Sequence, residues 1–101
     1  MIKNFEQLLA TGNDSALLRF SLGNAYLQAG DFDRAALNLS EAVAKDPGYS
    51  AAWKLLGKAY AANNNIPLAI AAYENGVAVA LQKGDKQAAK EMTVFLKRLQ
   101  K

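Results

Sequence analysis

The chain of 101 residues contains no cysteine and no histidine. Lack of cysteine excludes disulfides, thiolate metal sites and a thiol nucleophile. Lack of histidine removes the usual general base near neutral pH and the commonest metal ligand. Proline is almost absent, at Pro47 and Pro67 only, and Trp53 is the single tryptophan. Long apolar runs are missing too. No stretch approaches the roughly 20 apolar residues that span a bilayer. The N-terminus, Met1 to Leu9, carries Lys3 and an early Glu6, so it lacks the apolar heart of a signal peptide. The expectation is a soluble, cytoplasmic protein. Charge of one sign is not dominant: 12 Lys and Arg oppose 9 Asp and Glu, for a net +3. A nucleic-acid domain shows a denser basic stripe. β-branched residues are few and do not alternate with polar ones, so no strand is expected.

What is present is a repeated pattern. Leu22-Gly23-Asn24-Ala25-Tyr26 recurs 34 residues later as Leu56-Gly57-Lys58-Ala59-Tyr60. The same offset relates Ala35 to Ala69 and Val43-Ala44 to Val77-Ala78. A fixed period of this length signals a stacked helical repeat.

Punctuation along the chain divides it into helices. Asp14 and Ser15 suit an N-cap, and Leu18, Leu22, Ala25, Tyr26 and Ala29 follow on one helical face. Gly30 ends that helix in left-handed geometry. Asp31 caps the next, with Phe32, Ala35, Leu39, Ala42 and Val43 on one side, and Pro47 stops it. Ser50 opens a helix carrying Trp53, Leu56, Gly57 and Tyr60. Asn64 stands in for Gly30 at its end, since asparagine tolerates left-handed geometry. Pro67 fits the first turn of a helix that runs through Ala69, Tyr73 and Val77 to Gly84. A last helix has Ala88, Ala89, Met92, Leu96 and Leu99 as its buried side.

These residues resemble the tetratricopeptide repeat family, whose unit is a 34-residue helix–turn–helix. Leu22, Gly23, Tyr26, Ala35, Leu39, Ala42 and Pro47 match its pattern in one copy, and Trp53, Leu56, Gly57, Tyr60, Ala69 and Tyr73 in the next. The resemblance implies an all-α fold of about six helices, a right-handed superhelical stack of antiparallel pairs forming one domain. The units expected are a capping half repeat at 2–12, repeats at 16–49 and 50–83, and a capping helix at 85–100. Met1 and the two end helices suggest a complete unit. Back-shifting by 34 sets Phe5 under Leu39 and Leu8 under Ala42, both as packing positions. Gly23, Ala35 and Ala42 are expected to face Gly57, Ala69 and Gly76, where small residues let helices approach closely. Three departures stand out. Arg19 takes the place of Trp53, Leu81 that of Pro47, and Gly76 that of Ala42. Without a proline at Leu81 the preceding helix can run longer, so the last helix slips by two residues. Ala89, Met92, Thr93 and Leu96 then reach core positions instead of Gln87, Lys90 and Glu91.

The resemblance also implies an interaction module, a scaffold or adaptor, whose first helices line a concave groove for a partner peptide or helix. The groove residues are Leu17, Phe20, Asn24 and Leu27, then Lys54 and Lys58, with Lys90 from the last helix. Apolar Phe20 and Leu27 beside these lysines suit a segment with an apolar anchor and acidic residues. Some family members grip a terminal carboxylate with two lysines, two asparagines and an arginine. Here only Asn24 matches that set; Phe20, Leu55, Gln87 and Glu91 hold the other places, so a chaperone-tail receptor is not supported. Alternatives are a self-associating subunit, with Phe5, Phe95 and Leu99 at its surface, giving a monomer or weak homodimer, and a weak nucleic-acid binder through the lysine-rich last helix. Catalysis is not expected. Asp31 and Asp33 are explained by a helix start, the serines have no activating base, and no phosphate loop, metal cluster or cofactor motif is present.

Overall fold

A computed structural model describes all residues, 1–101, as six helices and no strand. They are α1 (Ile2–Ala10), α2 (Ala16–Gln28), α3 (Phe32–Lys45), α4 (Ser50–Ala62), α5 (Ile66–Gln82) and α6 (Lys86–Leu99). The turn chemistry follows from the residues that make it. Ser15 accepts from the Leu18 amide, Asp31 from Arg34 and Asp85 from Ala88, each satisfying a donor that a helix start leaves free. Gly30 and Asn64, one period apart, both adopt positive φ, which asparagine reaches at modest cost.

Each helix packs on its sequence neighbour, α2 on α3 and α4 on α5 most extensively. In addition α2 touches α4 and α4 touches α6, while the backbones of α1, α3 and α5 do not approach one another closely. The stack therefore curves, with α2, α4 and α6 on its inner side. A main core of Leu22, Tyr26, Leu39, Val43 and Leu56 with interleaved alanines runs through α2 to α5. A smaller one joins Tyr73 and Ala80 to Ala89 and Met92.

Small residues bring helices together, but not in the pairing expected. A Cβ on Gly23 would lie 2.5 Å from Leu39 Cγ, and one on Gly57 2.5 Å from Tyr73 Cε1. Both contacts lie inside one helix pair. Gly76 makes room across the stack, for Met92 of α6 and the Trp53 Cβ. The reason is geometric: glycine sits on the inner helix where its own partner crosses. Leu8 is a second correction. It is 47% exposed, whereas Ala42, its counterpart, is buried. Ile2, Phe5 and Leu9 do pack on the main core.

Arg19 and Trp53 solve one problem with different chemistry. The Trp53 indole donates to the Pro47 carbonyl at 2.8 Å. Arg19 donates twice to the Asp14 carboxylate, at 2.9 and 3.1 Å, and to Oδ1 of buried Asn38 at 3.0 Å. Each ties an inner helix to the turn that enters it. The Arg19 guanidinium, aided by Lys45, holds the Asp14 carboxyl below the usual carboxylate range. A lowered folded pKa adds stability above about pH 4 that is lost as pH falls below it. Asp14→Asn is thus expected to be less stable than the parent at neutral pH, the two converging in acid denaturation near about pH 2. The difference should shrink in high salt, because the pair is solvent-exposed.

A tyrosine hydroxyl staples successive units at equivalent positions. The Tyr26 hydroxyl donates to Glu6 of α1, and Tyr60 pairs with Ser40 of α3 at 3.3 Å. The Glu6 hydrogen bond, then burial, raises the Tyr26 pKa. Its stabilisation is present below about pH 10 and is lost as pH rises through the folded value. Tyr26→Phe is expected to cost about 1 kcal/mol and Tyr60→Phe about half that, since charge-assisted bonds are stronger. Denaturant midpoints of the two variants check the order.

α5 is three residues longer than α3, which occupies the same place one period earlier. α4 starts 34 residues after α2, but α6 starts 36 after α4. With that two-residue offset Ala89 and Met92 are buried, Thr93 and Leu96 half-buried, and Lys90 exposed.

Candidate functional site

The inner face begins with a stripe on α2. Leu17, Phe20, Asn24 and Leu27 are spaced three, four and three residues apart and so share one side of the helix. Leu17 is 65% exposed. Phe20 stacks on Tyr49, ring centroids 4.9 Å apart, across the gap to α4, and burial there raises the Tyr49 pKa. Leu27 packs on the main core. Asn24 is half-buried beside them.

The lysines of α4 are engaged by α6. Lys54 Nζ lies 3.3 Å from a Glu91 carboxylate oxygen, and Lys58 Nζ sits 5.5 Å from the centre of the Phe95 ring. Next to the Lys54–Glu91 pair, Ser50, Ala51, Asp85, Gln87 and Ala88 enclose a cavity of about 240 Å³ between α4 and α6. The Lys54 charge is thus balanced within the chain, while Lys58 remains exposed. Lys90 does not join these residues. It lines a separate hollow between α5 and α6, with Val77, Leu81 and Thr93. The cause is the rotation of α6, which presents Glu91 rather than Lys90 to Lys54.

Among the residues expected at an association surface, Phe5 packs on the main core and Phe95 and Leu99 on the smaller one. The residues that sequence reasoning did not place beside these lysines are Glu91 and Phe95, which meet them on the inner face of α4 and α6. Their spacing from Lys54 and Lys58 is 37 residues in both cases, a relation that could have been found by scanning for charge and cation–aromatic partners once the offset was fixed. No group of three or more acidic side chains is placed to hold a metal ion. No helix is long and apolar enough to cross a membrane.

Comparison with known proteins places this geometry. A family model described as tetratricopeptide repeat matches residues 2–50 and again 20–85. The TPR repeat-containing protein PA0015 of Pseudomonas aeruginosa is 57% identical over 99 residues, covering 98% of this chain and 94% of that protein. The chloroplastic tetratricopeptide repeat domain-containing protein PYG7 of Arabidopsis thaliana is 36% identical over 61 residues, 60% of this chain and 20% of its own length. Among solved structures, protein BPP2914 of Bordetella parapertussis superposes with a TM-score of 0.84 at 43% identity, covering 98% of this chain and 86% of that one. A tetratricopeptide repeat domain protein of Salinibacter ruber gives 0.77 at 26% identity, covering 85% and 87%. With its 34-residue period, its curved helical stack and relatives matched over nearly its whole length, the chain belongs to the tetratricopeptide repeat family.

Proposed function

We propose that the inner face of α2, α4 and α6 binds an extended segment or helix of another protein, and that the chain acts as an adaptor. Tetratricopeptide repeat domains are in general protein–protein interaction modules, and in general not enzymes. The observation that carries the specific reading is Leu17, a large apolar side chain 65% exposed on the concave stripe, one turn from half-buried Phe20. An apolar anchor of the partner lies over Leu17 and Phe20, and an acidic residue meets Lys58. Anchors of this kind supply most of the affinity, while charges set orientation and encounter rate.

Affinity capture with the parent chain, followed by titration of the captured protein, tests this. Leu17→Asp is expected to leave the melting temperature within a few degrees and to weaken binding at least about tenfold, the scale of a modest hot spot. Phe20→Ala also weakens binding, though it removes the Tyr49 stacking as well. A partner that binds Leu17→Asp and Lys58→Glu as tightly as the parent would overturn the groove reading.

A further inference from the structure

At the foot of α4, α5 and α6, Ala61, Tyr73, Phe95, exposed Arg98 and Leu99 line a small open cavity of about 130 Å³. Tyr73 forms part of its wall, yet the residue is only 2% exposed. Its hydroxyl makes no hydrogen bond within the chain, although every fully buried side-chain polar atom has a partner. The little surface that Tyr73 keeps therefore includes its hydroxyl, and that surface opens into the cavity. The ring is held by Gly57 on one side and by Phe95, with centroids 5.6 Å apart, which fixes the position of the hydroxyl. A polar group on so nearly buried a residue usually has a partner, and here the hollow is where one can sit.

The second donor is Arg98. Its guanidinium carbon lies 5.9 Å from the Phe95 ring centre, and it forms no ion pair. The walls are otherwise apolar. We propose that this cavity is a binding site for a carboxylate on a short aliphatic stem, with one oxygen accepting from the Tyr73 hydroxyl, the charge met by Arg98, and the stem against Ala61, Phe95 and Leu99. Burial pushes the Tyr73 pKa up to about 12, so the hydroxyl stays a donor throughout the neutral range. A neutral carbonyl would use the tyrosine and leave Arg98 idle; a carboxylate uses both, and charge-assisted bonds are the stronger ones. None of the five residues belongs to the lysine, asparagine and arginine set considered for terminal carboxylates. A side chain or terminus of the partner segment is one source of the carboxylate, and that source alone rests on the groove reading; a free small acid is the other.

Butyrate titrated into the isotopically labelled full chain at neutral pH, with butyramide as the uncharged control, tests the site. Saturable amide shifts at Ala61, Phe95, Arg98 and Leu99 are expected with butyrate only. Tyr73→Phe keeps the ring and should bind butyrate roughly tenfold more weakly, as should Arg98→Gln. An equal response to acid and amide, or parental affinity in Tyr73→Phe, overturns the proposal. Two short peptides, one with a free C-terminus and one amidated with an internal glutamate, then compete against butyrate. Competition by either supports the site and identifies the source. Butyrate binding without competition by either peptide supports the site for a free acid and removes its link to the groove. A captured partner that depends on Leu17 but not on Tyr73 leaves the groove reading standing and the cavity without this role.

Discussion

Leu39→Ala is expected to lower the unfolding free energy by about 3 kcal/mol, within the usual range for emptying a core leucine site. For a chain of this size that is roughly 12–20 °C in melting temperature. Leu39 is fully buried in the main core, and its side chain fills the space that Gly23 leaves. The sharper test is the pair. In the parent, Gly23→Ala places a Cβ 2.5 Å from Leu39 Cγ and 2.8 Å from Cδ2. Overpacking of that kind costs about 1–3 kcal/mol, against a gain of nearly 1 kcal/mol in helix propensity. With Leu39 shortened, both of its close contacts are gone, the propensity gain remains, and only a mild 3.3 Å approach to the Ala35 carbonyl is left. Gly23→Ala should therefore destabilise the parent and stabilise Leu39→Ala, a coupling of about 2 kcal/mol in a double-mutant cycle. Effects that add to within about 0.5 kcal/mol would mean that this contact does not set the approach of α2 to α3.

Met92→Ala is expected to cost a similar amount but to act locally. Met92 is fully buried and, with Tyr73, Ala80 and Ala89, makes up the whole buried part of the smaller core. α6 touches only α5 and α4. In a stack where each unit meets only its neighbours, a lost interface near the end frees that end first. Loss of about 3 kcal/mol there corresponds to roughly 100-fold faster amide exchange in α6. Amides of α2 and α3, two interfaces away, should change little. Uniform acceleration along the chain would show instead that the six helices open as one unit.

Much of this fold was legible because it is local chemistry. Ser15, Gly30, Asp31 and Asn64 act at their own positions, and the period assigns Leu22 and Leu56, or Ala35 and Ala69, to matching sites. The offset of α6 was readable from the missing proline at Leu81 together with the apolar set Ala89, Met92 and Leu96. Relations between helices were harder. Which surface Gly23 touches depends on where α2 crosses α3, so it pairs with Leu39 in its own unit rather than with the next repeat. The exposure of Leu8 depends on which helices pack around α1, a matter of neighbours and not of period. On the candidate groove, the α2 stripe followed from helical spacing alone. The partners of Lys54 and Lys58 did not, because they are set by the rotation of α6, and Lys54, expected to meet an acidic residue of a partner, is matched by Glu91. The Tyr73 hydroxyl was read simply as part of a repeat position.

The two-residue delay before α6 has a consequence for how such a chain can lengthen. Tandem arrays grow when a unit is copied and the copy falls into phase with its neighbours. A duplicate of residues 16–49, whose second helix ends at Lys45 as α3 does, placed directly before Ser50 would preserve the spacing on both sides. A further outer helix after α6 would have to pack on α6 as α5 packs on α4, at the register that the two-residue delay sets. Thr93 would stand where the inner helices offer Gly23 or Gly57, and its side chain would hold off an incoming helix. A bulky residue at that position makes α6 a poorer seat for a copied unit than the glycine-bearing helices within the array.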